Sequence, residues 1–243
     1  MYKKEEKNFA TLISKELMKY EDKSFAAWNT KILNICKGGY GEGDVLLGVR
    51  VPQIRNVIRK YWMDIDLKEV SGLLCNKIHE IRFAALMILI AKYKIDDKFK
   101  ADIVKIYLKN SQYVNNWDLV DLSAPKIVGH YWYSNCLTDF WKYAKSNNIW
   151  RERIAIVSTL YFIKQARFKE TIILAEMFMN YKHDLIYKAV GWMLREIGKR
   201  NINKLILFLD EYSYFMPRTM LRYSIEKLSL KQKKYYLKKK SSD

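Results

Sequence analysis

The chain has little of what usually breaks or staples a fold: its 243 residues include three prolines, nine glycines and three cysteines. The cysteines, Cys36, Cys75 and Cys136, are odd in number, far apart and set among apolar residues. That spacing excludes a disulfide framework and predicts reduced core thiols of a cytosolic protein. The first residues, Met1 to Lys7, are polar and lack the apolar stretch of a secretory signal. No uncharged apolar run is long enough to span a bilayer, so a cytoplasmic chain without a membrane partner is expected. His79, His130 and His183 stand alone, with no His-Glu-x-x-His or Cys-x-x-Cys spacing, so neither a metal nor an organic cofactor is expected. Gly39-Tyr40-Gly41-Glu42-Gly43 has the spacing of neither a dinucleotide fingerprint nor a phosphate loop, and reads as a turn.

Acidic residues are also scarce. Lys and Arg number 44 against 26 Asp and Glu, a formal net charge of +18. Such an imbalance favours a polyanionic partner, nucleic acid first and an anionic membrane second. Lysine-rich surfaces also arise from AT-rich coding, so charge alone does not decide. A hydrophobic share of 50% is enough for a packed core and excludes a largely disordered chain.

Between the sparse breakers, apolar residues recur at steps of three and four. Phe9, Leu12, Ile13 and Leu17 form one such stripe, and Phe83, Leu86, Met87 and Ile90 another. Strict strand alternation is absent. Pro52 and Pro217 sit where helices begin. Ser123 and Pro125 mark a break that confines a short helix to Asn115 to Leu122.

Laying Arg82-Phe83-Ala84-Ala85-Leu86 over Arg153-Ile154-Ala155-Ile156-Val157 and Lys188-Ala189-Val190-Gly191-Trp192 reveals an internal repeat, with a weaker copy at Arg222. Halving the interval from 82 to 153 lands on Asp118, within Trp117-Asp118-Leu119-Val120-Asp121. A spacing of about 35 residues fits two helices and their turns. The expected fold is therefore all-α: a HEAT-like or armadillo-like helical-repeat solenoid with a basic concave face, a single domain over 1–243 with a basic C-terminal tail over 228–243. The lysine-rich stretch from Lys231 to Lys240 reads as a solvated helix end that could also reach flanking phosphates.

On this register Trp117, Asp121, Arg153 and Trp192 share a column and are expected to converge. A carboxylate between two indoles and a guanidinium suits a phosphodiester backbone on which positive charge develops. The same residue types also serve as core filler and inter-helix partners.

Three stretches, Asn116-Trp117-Asp118-Leu119-Val120-Asp121, Asn148-Ile149-Trp150-Arg151-Glu152-Arg153 and Ala189-Val190-Gly191-Trp192-Met193-Leu194-Arg195-Glu196, resemble the bacterial DNA alkylation-repair glycosylase family of HEAT-like fold. Tyr40 to Asp44 and Gly48 to Arg55 are similar to a further family stretch, and the resemblance covers roughly residues 8 to 228. It implies hydrolysis of the N-glycosidic bond of N3- or N7-alkylated purines in double-stranded DNA, in base excision repair, by a monomer that leaves the lesion stacked. By the same likeness Asp121 is the catalytic carboxylate and Trp117 and Trp192 contact the deoxyribose. Arg153 then binds phosphate, with Arg195 and Lys188 as further DNA contacts. The candidate groups are expected on an open face, since no pocket-forming motif is found. Two other readings stay open: a non-catalytic binder of branched or damaged DNA, and a helical-repeat protein scaffold.

Overall fold

Helices run through residues 8–238, the part of the chain that the computed structural model describes; the stretches 1–7 and 239–243, with the polar N-terminal segment and the end of the basic tail, lie outside it. Among the described residues no strand forms, and one isolated parallel bridge joins Val45 and Ile78. The chain has an all-α, helical-repeat fold. No described helix is long and apolar enough to cross a membrane. The chain divides into two compact units, one up to Ser123 and one from Ala124 on.

The first unit contains α1 (Phe9–Met18), α2 (Lys23–Ile32), α3 (Val51–Ile58), α4 (Leu67–Leu74), α5 (His79–Ile95), α6 (Lys100–Lys109) and α7 (Trp117–Ser123). Short polar residues start α1, α2 and α4. The side chains of Asn8, Asp22 and Asp66 accept the amides of Thr11, Phe25 and Glu69, satisfying donors that the first turn leaves without a partner. The stripe read from sequence delivers Ile13 and Leu17 of α1 into the core. Helix α5 is the hub, with Ile81, Ala84, Ala85, Leu86, Ile88 and Leu89 all fully buried, and it packs against α3, α4 and α7. Helix α7 occupies the place expected for the short helix and ends just ahead of Pro125.

The three thiols depart from expectation, since Cys36, Cys75 and Cys136 are all exposed and unpaired. Cys36 follows α2, Cys75 caps α4 and Cys136 precedes the helix that begins at Thr138. Apolar neighbours in sequence suggest a core position, but at a helix end the chain turns its side chains outward.

The second unit opens on a π-helical turn, Pro125–Gly129, so Pro125 begins a wider turn rather than ending helical backbone. It continues through α8 (His130–Ser134), α9 (Thr138–Ala144), α10 (Ile149–Lys164), α11 (Lys169–Met177), α12 (Asp184–Arg200), α13 (Ile202–Tyr212), α14 (Arg218–Ser224) and α15 (Leu230–Lys238). Helices α10, α12 and α14 pack one on the next; of the repeat column, Arg153 and Lys188 fall near the starts of α10 and α12, and Arg222 falls in the last turn of α14. Gly191 permits the close approach of α14 to α12. A Cβ there would stand 2.5 Å from Tyr223 Cβ and 2.6 Å from the Met220 carbonyl oxygen. The described part of the basic tail is helical over Leu230–Lys238, but it is not merely solvated: Tyr236 is buried and its hydroxyl donates to Asp210 at 3.0 Å.

Candidate functional site

Helix α7 is short, and its sequence sorts by face. Leu119, Val120 and Ser123 are buried, while Trp117, Asp118, Asp121 and Leu122 line a cleft of about 690 Å³ within the first unit. The far end of the helix is held by Ser123, whose Oγ donates to the Leu119 carbonyl at 2.6 Å and lies 3.0 Å from the Tyr107 hydroxyl. The rest of the cleft lining is largely apolar and includes Phe25, Trp28, Ile32, Pro52 and Phe83. Phe25 and Trp28 stack with ring centres 5.5 Å apart, and the Arg50 guanidinium lies 4.3 Å above the Phe25 ring. Trp28 is 57% exposed, a large indole left in solvent at the rim of an apolar cleft. The sequence reading, which looked for an open face without a pocket, did not anticipate this cleft. Phe25 and Trp28, whose one signal is aromatic spacing at three residues on α2, were not among the expected site residues, and Arg50 was marked only as part of a family-like stretch.

Beneath Asp118 lies a buried group of charges. His79 Nε2 is 2.8 Å from Asp118 Oδ2, and its Nδ1 is 3.2 Å from Asp44 Oδ2. Asp44 Oδ2 also accepts Arg82 Nη2 at 2.5 Å, and Arg82 Nη1 donates to the Asn76 and Lys77 carbonyls. Burial disfavours a charged imidazole, but the Asp118 and Asp44 carboxylates outweigh it and His79 is pushed up to about 9. Burial likewise works to raise the Asp44 carboxyl, yet the bond from His79 and the charge of Arg82 hold it below the usual carboxylate range. His79, isolated in sequence, is thus enclosed between two carboxylates. Its neighbour Glu80 accepts the amides of Leu47 and Gly48 at 3.0 and 2.7 Å.

In the second unit Arg153 is 4% exposed, and its Nη1 donates to the Leu185 carbonyl at 2.6 Å, joining α10 to the first turn of α12. Trp192 is half-buried on α12, with its Nε1 donating to Glu196 Oε1 at 3.3 Å. Burial works to raise the Glu196 carboxyl, but Lys199 and the indole N–H hold it below its ordinary range. Arg195 pairs with Glu226, and Lys188 with Asp184 at 2.6 Å. The structure therefore brings Trp117 and Asp121 together on one cleft, and Arg153, Lys188, Trp192 and Arg195 along the paired helices α10 and α12.

The sequence model of a family described as DNA alkylation repair enzyme matches residues 13–228. No curated protein matches the chain significantly. Among solved structures, one described as a predicted DNA alkylation repair enzyme from Enterococcus faecalis is similar with a TM-score of 0.68 and 14% identity, over 86% of this chain and 97% of that one. At that identity the likeness speaks for the fold.

Proposed function

Because the chain belongs to the DNA alkylation repair enzyme family, we propose that it is a DNA glycosylase that hydrolyses the N-glycosidic bond of N3- or N7-alkylated purines in double-stranded DNA. The observation that carries this reading is the placement of Asp121 and Trp117 one helical turn apart on the same cleft. An alkylated purine bears a formal positive charge and leaves readily, so the paired acid and base of ordinary glycosidases are not required. One ionised carboxylate can stabilise the oxocarbenium-like sugar and orient or deprotonate water, and Asp121 takes that role. Trp117, and Trp192 from the second unit, offer flat apolar faces to the deoxyribose. Arg153, Arg195 and Lys188 are the proposed phosphate contacts. The enzyme acts as a monomer in the cytoplasm, within base excision repair, and approaches the lesion from the sugar side while the base stays stacked.

The direct test is single-turnover release of N3-methyladenine and N7-methylguanine from methylated duplex. Wild type should release both, and Asp121→Asn, which keeps shape and removes charge, should be slower by about 100-fold or more. An unimpaired Asn variant would remove the mechanism. Tight duplex binding by a wild type that releases no base would indicate a non-catalytic binder instead.

A further inference from the structure

Helix α7 carries Trp117 and Asp121 but is only Trp117–Ser123 long. A helix that short does not hold its own position in water, so whatever grips its start fixes where those two side chains stand. Three of the four residues from Asn115 to Asp118 are gripped by elements distant in sequence: the glycine loop, the end of α2 at Leu33 and the start of α5. From the glycine loop, Asp44 Oδ1 accepts Asn115 Nδ2 at 3.4 Å. The loop backbone at Gly41 lies so close that a Cβ would meet the Leu33 carbonyl at 2.8 Å and Asn116 Nδ2 at 3.0 Å. Asn116, fully buried, donates to that same carbonyl at 3.0 Å and accepts the Trp117 amide at 2.8 Å. From α5, Arg82 Nη2 donates to Asn115 Oδ1 at 3.1 Å and His79 reaches Asp118. Asp118 in turn accepts the Leu119 amide at 2.8 Å.

We infer that the glycine loop and the start of α5 form a charged clamp on α7, in which His79 is a positioning residue that sets where Trp117 and Asp121 stand. The inference rests on the reading of Asp121 as the reacting carboxylate. Three charged groups face the imidazole: Asp44 from the loop, Asp118 from α7 and Arg82 from its own helix. Ionised carboxylates only accept hydrogen bonds. Both ring nitrogens of His79 lie within reach of one, and a neutral ring can donate from only one nitrogen. The geometry therefore selects the imidazolium, which donates from both sides. With His79 charged, two anions and two cations balance inside the protein, the condition under which buried charges are tolerated. Asp118, three residues before Asp121 and on the same cleft, is by the same bond committed to His79 rather than to substrate.

The test uses the full chain labelled in its imidazole and indole nitrogens, with the His79 and Trp117 resonances identified by their absence from His79→Gln and Trp117→Phe. In wild type His79 should remain protonated through neutral pH and titrate at about 9. Asp118→Asn preserves shape and should lower that midpoint by about one unit or more. The Trp117 indole signal should move in step with the His79 titration in both proteins. Single-turnover base release by Asp118→Asn should fall about tenfold as pH rises through the lowered midpoint, with duplex affinity unchanged within about twofold. Wild type should stay level over the same interval. A His79 that titrates near the ordinary histidine value in wild type, or a Trp117 signal that ignores its titration, overturns the clamp. Release by Asp118→Asn at the wild-type rate and pH dependence overturns it equally. A wild type that releases no base defeats the function proposed above, and the two nitrogen titrations then decide the clamp alone.

Discussion

Two residues with opposite legibility stand on either side of one cleft wall. Asp121 is readable from sequence because its motif is local: the indole at 117 and the carboxylate one turn later fall on one helical face. His79 is not, because its partners Asp44 and Asp118 lie 35 and 39 positions away. A lone histidine gives no hint that folding will enclose it between two acids. Its consequence for stability has a definite sign. The folded imidazole is raised to about 9 from 6.5, so its contribution is fully present below about 6.5 and is lost as pH rises through about 9. The denaturation midpoint should decline between pH 7 and pH 10 in wild type, and decline less in His79→Gln over the same interval. Equal slopes would detach His79 from that loss. Arg153 makes a second case. Its replacement by Ala opens a buried space and leaves the Leu185 carbonyl without this donor, so thermal unfolding should show a loss of about 2 kcal/mol or more alongside any loss of duplex affinity. An unchanged Tm with weakened binding would mean that Arg153 serves DNA alone.

At the scale of the element, packing constraints are sharp where backbone meets backbone. Gly191→Ala sets a methyl against Tyr223 and the Met220 carbonyl, and either α14 or α12 must shift. A destabilisation of about 1 to 3 kcal/mol by denaturant titration is expected, with slower base release because the neighbouring Trp192 moves with its helix. Full stability in that variant would show that the two helices can separate without cost. The helical repeat was legible because Arg82, Asp118, Arg153 and Lys188 fall near helix starts, where a charged side chain and the following apolar run recur together, whereas Arg222, in the last turn of α14, is the weaker copy. Features that depend on chain direction rather than periodicity were not. The exposed cysteines, the π-helical turn after Pro125 and the docking of Tyr236 against Asp210 all arise at helix ends or across long separations. The cleft of the first unit belongs with these, because it is assembled from α2, α3, α5 and α7 and no one of them announces it.

For the whole molecule, the dominant quantity is a formal charge of +18. The logarithm of duplex affinity should fall linearly with the logarithm of salt concentration, and Lys188→Gln should flatten the slope by about one contact. A slope identical to wild type would take Lys188 out of the interface. If the lesion stays stacked, 2-aminopurine set beside it should brighten little on binding, whereas strong brightening would mean that the base leaves the helix. The quartet of Asp44, His79, Arg82 and Asp118 should respond little to salt, since its charges cancel locally and all but Asp118 are almost fully buried. On the proposed reading, ionic strength and alkalinity are separate dials on this protein: salt should loosen its hold on duplex, and high pH should displace the groups proposed to react.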